Sequence, residues 1–318
     1  MKKLFCIILL IAAAACSAQQ KGFNNPWFFN QFPGGYPPAD VVNKIIALKN
    51  ATATDTFYIR FPGGTIANRY ITDSTGYGGQ TADKNPNYIT AQVKLCQQTG
   101  AKTIYVANLY QPLVNPQLET WYIADIVKAV KILQPSKIEL GNELPIYPEI
   151  TGVTSGNYNI FNKSKFTAAV TENAKRYTAL ADKVMAAIRA AGYNPQFGVC
   201  MDLPLHTRGK LWNQVIRDWG RYQAEIFHIY STGRDILSIQ TELNKAFNGS
   251  RKQIWVTEWG WALGADGNNP KNAGDIGTDY YNAFPLNFAT AESYDTRIKI
   301  SLRHMLFGDN EYCVIKTK

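Results

Sequence analysis

The sequence predicts an α/β chain folded as a (β/α)8 TIM barrel, and three observations carry that prediction. Strand-like runs alternate with helix-like runs along nearly the whole chain, the pattern of parallel strands joined by helical crossovers. The 318 residues, 46% hydrophobic and 18% charged, suffice for one barrel-sized domain with a large core. No GxGxxG or GxxxxGK[ST] loop occurs, so the nucleotide-binding open sheet that would share this periodicity lacks its mark.

Seven strands read directly: residues 55–61, 102–109, 137–143, 196–202, 224–231, 252–261 and 311–318. Helical periodicity covers 89–100, 119–133, 164–192, 209–220, 236–249 and 291–307. Ser164 and Gly192 are suitable caps for the longest of these. The remaining strand is expected first in the chain, near Pro26–Phe32, before a helix at 38–49. No internal repeat or low-complexity linker interrupts the series.

The chain opens with a targeting segment. Lys2 and Lys3 precede the apolar run Leu4–Ala15, followed by the small-residue stretch ACSAQQ. The run is too short for a comfortable membrane span. A signal peptide over residues 1–18, cleaved after Ala18, is the expectation, with the barrel domain over 19–318 and a secreted or periplasmic destination. Lipid anchoring at Cys16 is the alternative; Ala13, three residues before, stands where such signals usually carry Leu.

Cys96, Cys200 and Cys313 are far apart, with neither a CxxC motif nor a His/Cys cluster, which argues against a zinc site and a disulfide scaffold. The net charge is +9, or +7 without Lys2 and Lys3, and it is scattered. Nucleic acid is therefore a poor partner, whereas an acidic or sulfated polysaccharide is compatible with the charge. Oligomeric state is not legible.

In such a barrel the site lies at the C-terminal ends of the strands. The polar residues there are Arg60, Asn108, Asn142, Glu143, Asp202, His228, Tyr230 and Glu258. Glu143 and Glu258 lie 115 positions apart, yet each follows apolar strand residues, and barrel closure brings them together. A pair of carboxylates across a cleft suits glycoside hydrolysis: one, protonated, releases the leaving sugar oxygen, and the other, ionised, attacks the anomeric carbon or activates water. His228 and Tyr230 are two apart and share a strand face. Trp259 and Trp261 flank Glu258, and Trp261 is the better candidate for a sugar-stacking platform.

LGNE at the end of the fourth strand and TEW at the end of the seventh resemble the two signatures of clan A glycoside hydrolases. RFPGG, ending the second strand, is similar to the Arg-x-Pro-Gly-Gly segment of the arabinofuranosidase and heparanase-like branches, families 51 and 79 with family 39 nearby. The resemblance implies a retaining, two-glutamate mechanism without metal or cofactor. It implies Glu143 as acid/base, Glu258 as nucleophile, Asn142 as reader of the substrate 2-hydroxyl, Tyr230 as hydrogen-bond donor to the nucleophile and Arg60 as its cation. His228 and Asn108 are further substrate-binding candidates.

Those families carry a β-sandwich built largely from chain after the eighth strand, and here Lys318 falls at the candidate eighth strand. A barrel truncated near strand eight is thus expected, and a catalytically inactive, carbohydrate-binding barrel is the rival reading.

Overall fold

The computed structural model describes residues 19–24, 32, 35–52, 54, 56–72, 87–153, 162–261, 283–304, 307–308 and 315–316. The segment 1–18 lies outside the described residues, as does Cys313. Among those described, no helix is long and apolar enough to cross a membrane.

Eight parallel strands close into a barrel in sequence order: β1 Gln20–Asn24, β2 Phe57–Phe61, β3 Lys102–Ala107, β4 Lys137–Leu140, β5 Gln196–Cys200, β6 Ala224–Ser231, β7 Gln253–Trp261 and β8 Ile298–His304. Helices Ala39–Ala51, Asn87–Thr99, Glu119–Leu133, Lys163–Ala190, Thr207–Trp219, Ile236–Ala246 and Phe284–Ser293 lie in the connections between strands. The predicted (β/α)8 barrel is the observed fold.

Two strands differ from expectation. β1 lies at Gln20–Asn24, not at 26–32. Its sequence, QKGFN, carries little apolar signal, and its pairing depends on Gly22: a Cβ there would stand 1.9 Å from the Tyr58 carbonyl oxygen. β8 lies at Ile298–His304, inside the expected helix 291–307, and the helix before it ends at Ser293. Asp295 turns the chain between them, accepting from the Arg297 backbone N–H at 3.0 Å. The alternation Ile298, Ile300, Leu302 is a strand period that the helical reading overran. Ile315–Lys316 instead pairs with Phe307–Gly308 in a separate two-stranded sheet.

Each strand is buried on both faces. One face packs under the helices: Phe23, Ile59, Ile138, Leu140, Val199, Phe227 and Val256 belong to the large apolar core there. The other face points into the barrel. Its lower layer is filled by Tyr58, Ile104, Ile226, Trp255 and Leu302. Gly198 makes room for this layer, since a Cβ on it would stand 2.7 Å from Ile226 and 2.8 Å from Trp255. Two residues further along four of the strands the inward position becomes polar: Asn24 follows Gly22, Arg60 follows Tyr58, His228 follows Ile226 and His304 follows Leu302. The upper layer of the barrel is therefore a polar floor standing on an apolar plug.

β7 reaches that floor only through a bulge. Phe227 of β6 pairs with Val256, but His228 pairs with Glu258, so Thr257 is an inserted residue. With Trp255 pointing inward, strict alternation would aim Thr257 at the site and Glu258 at the helices. The extra residue reverses this and turns Glu258 inward.

Candidate active site

The β4 end supplies Asn142 and Glu143 through a tight turn. Gly141 has φ of +99°, and a Cβ on it would lie 2.4 Å from Leu144 Cδ1. Glu143 itself sits in the left-handed region, with φ of +49° and ψ of +28°. A non-glycine residue there costs on the order of 1–3 kcal/mol, a strain that concentrates at functional sites. The turn is held from outside by the Cys200 thiol, donating to the Gly141 carbonyl at 2.8 Å, and by Asn68 Nδ2, donating to the Asn142 carbonyl at 3.2 Å.

Arg60 is the hub of the floor and is fully buried. Nε donates to both oxygens of Glu139 at 2.9 Å, and Nη2 donates to Glu139 Oε2 at 2.7 Å and Asn142 Oδ1 at 2.8 Å. Nη1 donates to Asn24 Oδ1 at 3.0 Å and Glu258 Oε1 at 2.6 Å. Glu258 Oε2 accepts from the Tyr230 hydroxyl at 2.9 Å. His228 stands between the two strand-end glutamates, with Nδ1 3.0 Å from Glu143 Oε1 and 3.8 Å from Glu258 Oε2. His304 Nδ1 lies 3.7 Å from Glu258 Oε2.

The two glutamates stand in different surroundings. Burial pushes the Glu258 carboxyl up, but His228, Arg60, His304 in the charged form it takes at acid pH, and the Tyr230 hydroxyl together bring it down to about 2, so it is ionised. Burial works against charge on His228, yet Glu258 and then Glu143 outweigh it and raise its pKa above the ordinary 6.5. Glu143 is the more open of the pair, its side chain 30% exposed against 4% for Glu258. Beside Glu143 is a cavity of about 200 Å³, lined also by Ile146, Met201, Asp202, Leu203, Phe227 and His228.

Glu143, His228 and Glu258 each offer an atom within 4.8 Å of the others, close enough to bracket a metal ion. The donor set fits that poorly. Glu258 already takes a guanidinium N–H and a hydroxyl, and His228 is biased toward its protonated form, whereas a metal-binding imidazole must give up its proton.

Of the residues singled out from the sequence, Arg60, Asn142, Glu143, His228, Tyr230 and Glu258 are brought together. The other candidates are placed differently. Asn108 is committed to the backbone, its Nδ2 donating to the Tyr70 carbonyl at 3.0 Å and its Oδ1 accepting from Gln111 N–H at 3.2 Å. Asp202 pairs with Arg208 Nε at 2.8 Å at the rim of the cavity. Trp259 stacks on Phe288, centroids 4.3 Å apart, on the helix side of β7. Trp261 packs against Phe284, with the Arg234 guanidinium 4.0 Å over its ring, so the open platform expected of Trp261 is taken up by protein contacts.

Asn24, Glu139 and His304 escaped the sequence reading. Misplacing β1 and β8 hid the first and last. Glu139 read as an ordinary strand residue, although a carboxylate alternating with Ile138 and Leu140 in a strand buried on both faces requires a buried cation.

No family model matches the chain, and no curated protein matches it by sequence. Solved structures do. An α-L-arabinofuranosidase from Thermotoga maritima superposes with a TM-score of 0.56 at 14% identity, over 95% of this chain and 67% of that one. The GH53 catalytic domain from Ignisphaera aggregans gives 0.50 at 12% identity, over 91% and 85%. A β-glucuronidase from Bacteroides uniformis gives 0.57 at 10% identity, over 95% of this chain but only 33% of its own. These likenesses establish the barrel fold that the resemblance to clan A glycoside hydrolases implies.

Proposed function

We propose that the chain is an exported glycoside hydrolase that cleaves the O-glycosidic bond of a poly- or oligosaccharide with retention, through Glu258 as nucleophile and Glu143 as acid/base. The observation that carries this reading is that carboxylate oxygens of Glu143 and Glu258 lie within 4.8 Å of each other, with the cation and the hydroxyl gathered on Glu258. Retaining enzymes hold their two carboxyl groups about 5–5.5 Å apart, whereas inverting ones need about 6.5–9.5 Å to admit a water.

In the first step an oxygen of Glu258 bonds to the anomeric carbon as the bond to the leaving oxygen breaks, and the proton on Glu143 moves to that oxygen. In the second, water attacks the glycosyl–enzyme ester, its proton returns to Glu143, and Glu258 leaves as carboxylate. Arg60 and Tyr230 hold Glu258 ionised and oriented. His228 contacts both carboxylates, so a cation is at hand whether the negative charge sits on Glu258 or on Glu143. Asn142 Nδ2 is buried and has no hydrogen-bond partner among the described residues, which suits a donor reserved for a sugar hydroxyl.

The cavity beside Glu143 is where the leaving group belongs. Its described lining carries Asp202 and no Lys or Arg, so the net charge of +9 remains the only argument for an acidic or sulfated substrate. Export follows from the leader at residues 1–18, with a lipid anchor at Cys16 as the alternative.

Activity on a panel of aryl glycosides and polysaccharides tests the reading, with proton NMR of the first-formed anomer reporting stereochemistry. Retention, abolished in Glu258→Ala, is expected. An inverted product would overturn the nucleophile assignment, and full activity in both Glu258→Ala and Glu143→Ala would overturn the site.

A further inference from the structure

Two side chains of the polar floor have no part in the reaction as written: Asn24 on β1 and His304 on β8. Strand register sets them in a row, since Asn24 pairs with Arg60 on one side and with His304 on the other. The amide of Asn24 faces both, and the chemistry of Arg60 decides which way it points. A guanidinium carries donors only, so the Asn24 atom 3.0 Å from Arg60 Nη1 must be the carbonyl oxygen. The atom 2.8 Å from His304 Nδ1 is then the amide nitrogen. An NH2 group has only protons to offer, so His304 Nδ1 must accept, and a neutral ring must carry its proton on Nε2. A charged ring would set N–H against N–H at hydrogen-bonding distance.

We propose that Asn24 and His304 are positioning residues for the nucleophile: Arg60, acting through the Asn24 amide, holds His304 as the neutral Nε2–H tautomer and turns the lone pair of Nδ1, not a proton, toward Glu258. The catalytic consequence rests on the glycosidase reading above; the tautomer does not. Nδ1 is 3.7 Å from Glu258 Oε2, an oxygen that already accepts from Tyr230. A proton on Nδ1 would add a further donor beside it, and a carboxylate with more donors gives up its electron pair less readily.

The surroundings act in the same direction. Burial lowers the pKa of His304; Glu258 pulls it back up, while His228 and Arg60 push it down and Glu143 adds a smaller upward effect, leaving it below 6.5. Besides Asn24, these four groups and the Tyr230 ring, edge-on with ring centroids 5.8 Å apart, are among the groups around the imidazole. Arg60 thus acts on the nucleophile twice, directly as its cation and indirectly by keeping a charge on His304 away from it.

The chain has three histidines, so 15N-histidine labelling gives three imidazole patterns, and His206→Gln and His304→Gln assign them. At pH 7 the expected pattern for His304 is a protonated Nε2 and a bare Nδ1. Asn24→Asp replaces the donating NH2 with an acceptor. It is expected to move the proton to Nδ1 and to lower kcat on the best aryl glycoside about tenfold or more with an unchanged thermal midpoint. A charged or Nδ1–H ring in the wild type overturns the proposal, and so does an Nε2–H ring that survives Asn24→Asp. If Asn24→Asp does not fold, the wild-type spectrum still decides the tautomer, and Asn24→Ala tests its dependence on the amide. A moved proton with unchanged kcat overturns the positioning role. The spectra need no substrate: a chain that hydrolyses no glycoside overturns the glycosidase reading, and the positioning role with it, whatever they show.

Discussion

Arg60 holds Glu258 with one nitrogen and Glu139 with the other edge of its guanidinium. Nη1 reaches Glu258 Oε1 at 2.6 Å, while Nε and Nη2 clamp the Glu139 carboxylate at 2.7–2.9 Å. The cation is shared between two buried carboxylates and oriented by the one that stands behind it. This gives Glu139 a structural part in the site that its place in the strand did not suggest.

Arg60→Lys keeps the charge and loses the fork. An ammonium cannot reach Glu139, Asn24, Asn142 and Glu258 together, and one buried carboxylate is left without its partner. Breaking a buried pair in this way costs about 3–5 kcal/mol. Urea denaturation should show that loss, and hydrolysis should fall by about a hundredfold or more. A Lys variant as stable as the wild type would mean that Glu139 is neutralised by another route.

Glu143→Ala should distinguish leaving groups. A proton donor matters most when the departing oxygen is strongly basic and least when it leaves unaided. Hydrolysis of an alkyl glycoside should fall by about 10²–10⁴-fold, and that of a nitrophenyl glycoside with the same sugar by much less. Equal losses on both would argue that Glu143 does not supply the proton.

His228 should make stability depend on pH in a specific sense. Its folded pKa is raised above 6.5 because Glu258 and Glu143 outweigh burial. A raised pKa contributes stability that is fully present below the unfolded value and lost as pH rises through the folded one. The stability advantage of wild type over His228→Gln should therefore be largest near pH 6 and shrink as pH rises past the folded pKa. Chemical denaturation at a series of pH values measures it, and an advantage that grows with pH contradicts the assigned sign.

The opposite sense holds for Glu258. Its folded pKa is lowered from 4.5 to about 2, so its contribution is present above pH 4.5 and lost as pH falls toward 2, on the order of 3 kcal/mol in all. Glu258→Gln should flatten the acid limb of the stability profile in that window.

Gly141→Ala should damage the site without touching its chemistry. The position has φ of +99°, and the added Cβ would meet Leu144 Cδ1 at 2.4 Å. A loss of about 1–3 kcal/mol is expected, with a fall in kcat as Asn142 and Glu143 shift. A variant that melts lower but turns over at the wild-type rate would show that the turn can move without carrying Glu143 along.

The fold was legible because barrel strands announce themselves. β2 to β7 are short apolar runs between amphipathic helices, and polar residues at their ends marked Arg60, Glu143 and Glu258. β1 and β8 are not legible, because QKGFN is mostly polar and the helical periodicity expected over 291–307 runs across Ile298–His304. Asn24 and His304 went with them.

The sequence by itself determined which residue types stand at the ends of β2 to β7, because apolar periodicity places those ends within about three residues. The tertiary structure decided where each side chain points. The bulge at Thr257 turns Glu258 inward against strict alternation. Barrel closure brings β8 beside β1 and makes neighbours of His304, Asn24 and Arg60. Packing on both faces turns Glu139 from a strand residue into the counter-ion of the hub. Direction and partnership depend on register across the barrel, and register is a property of eight strands together.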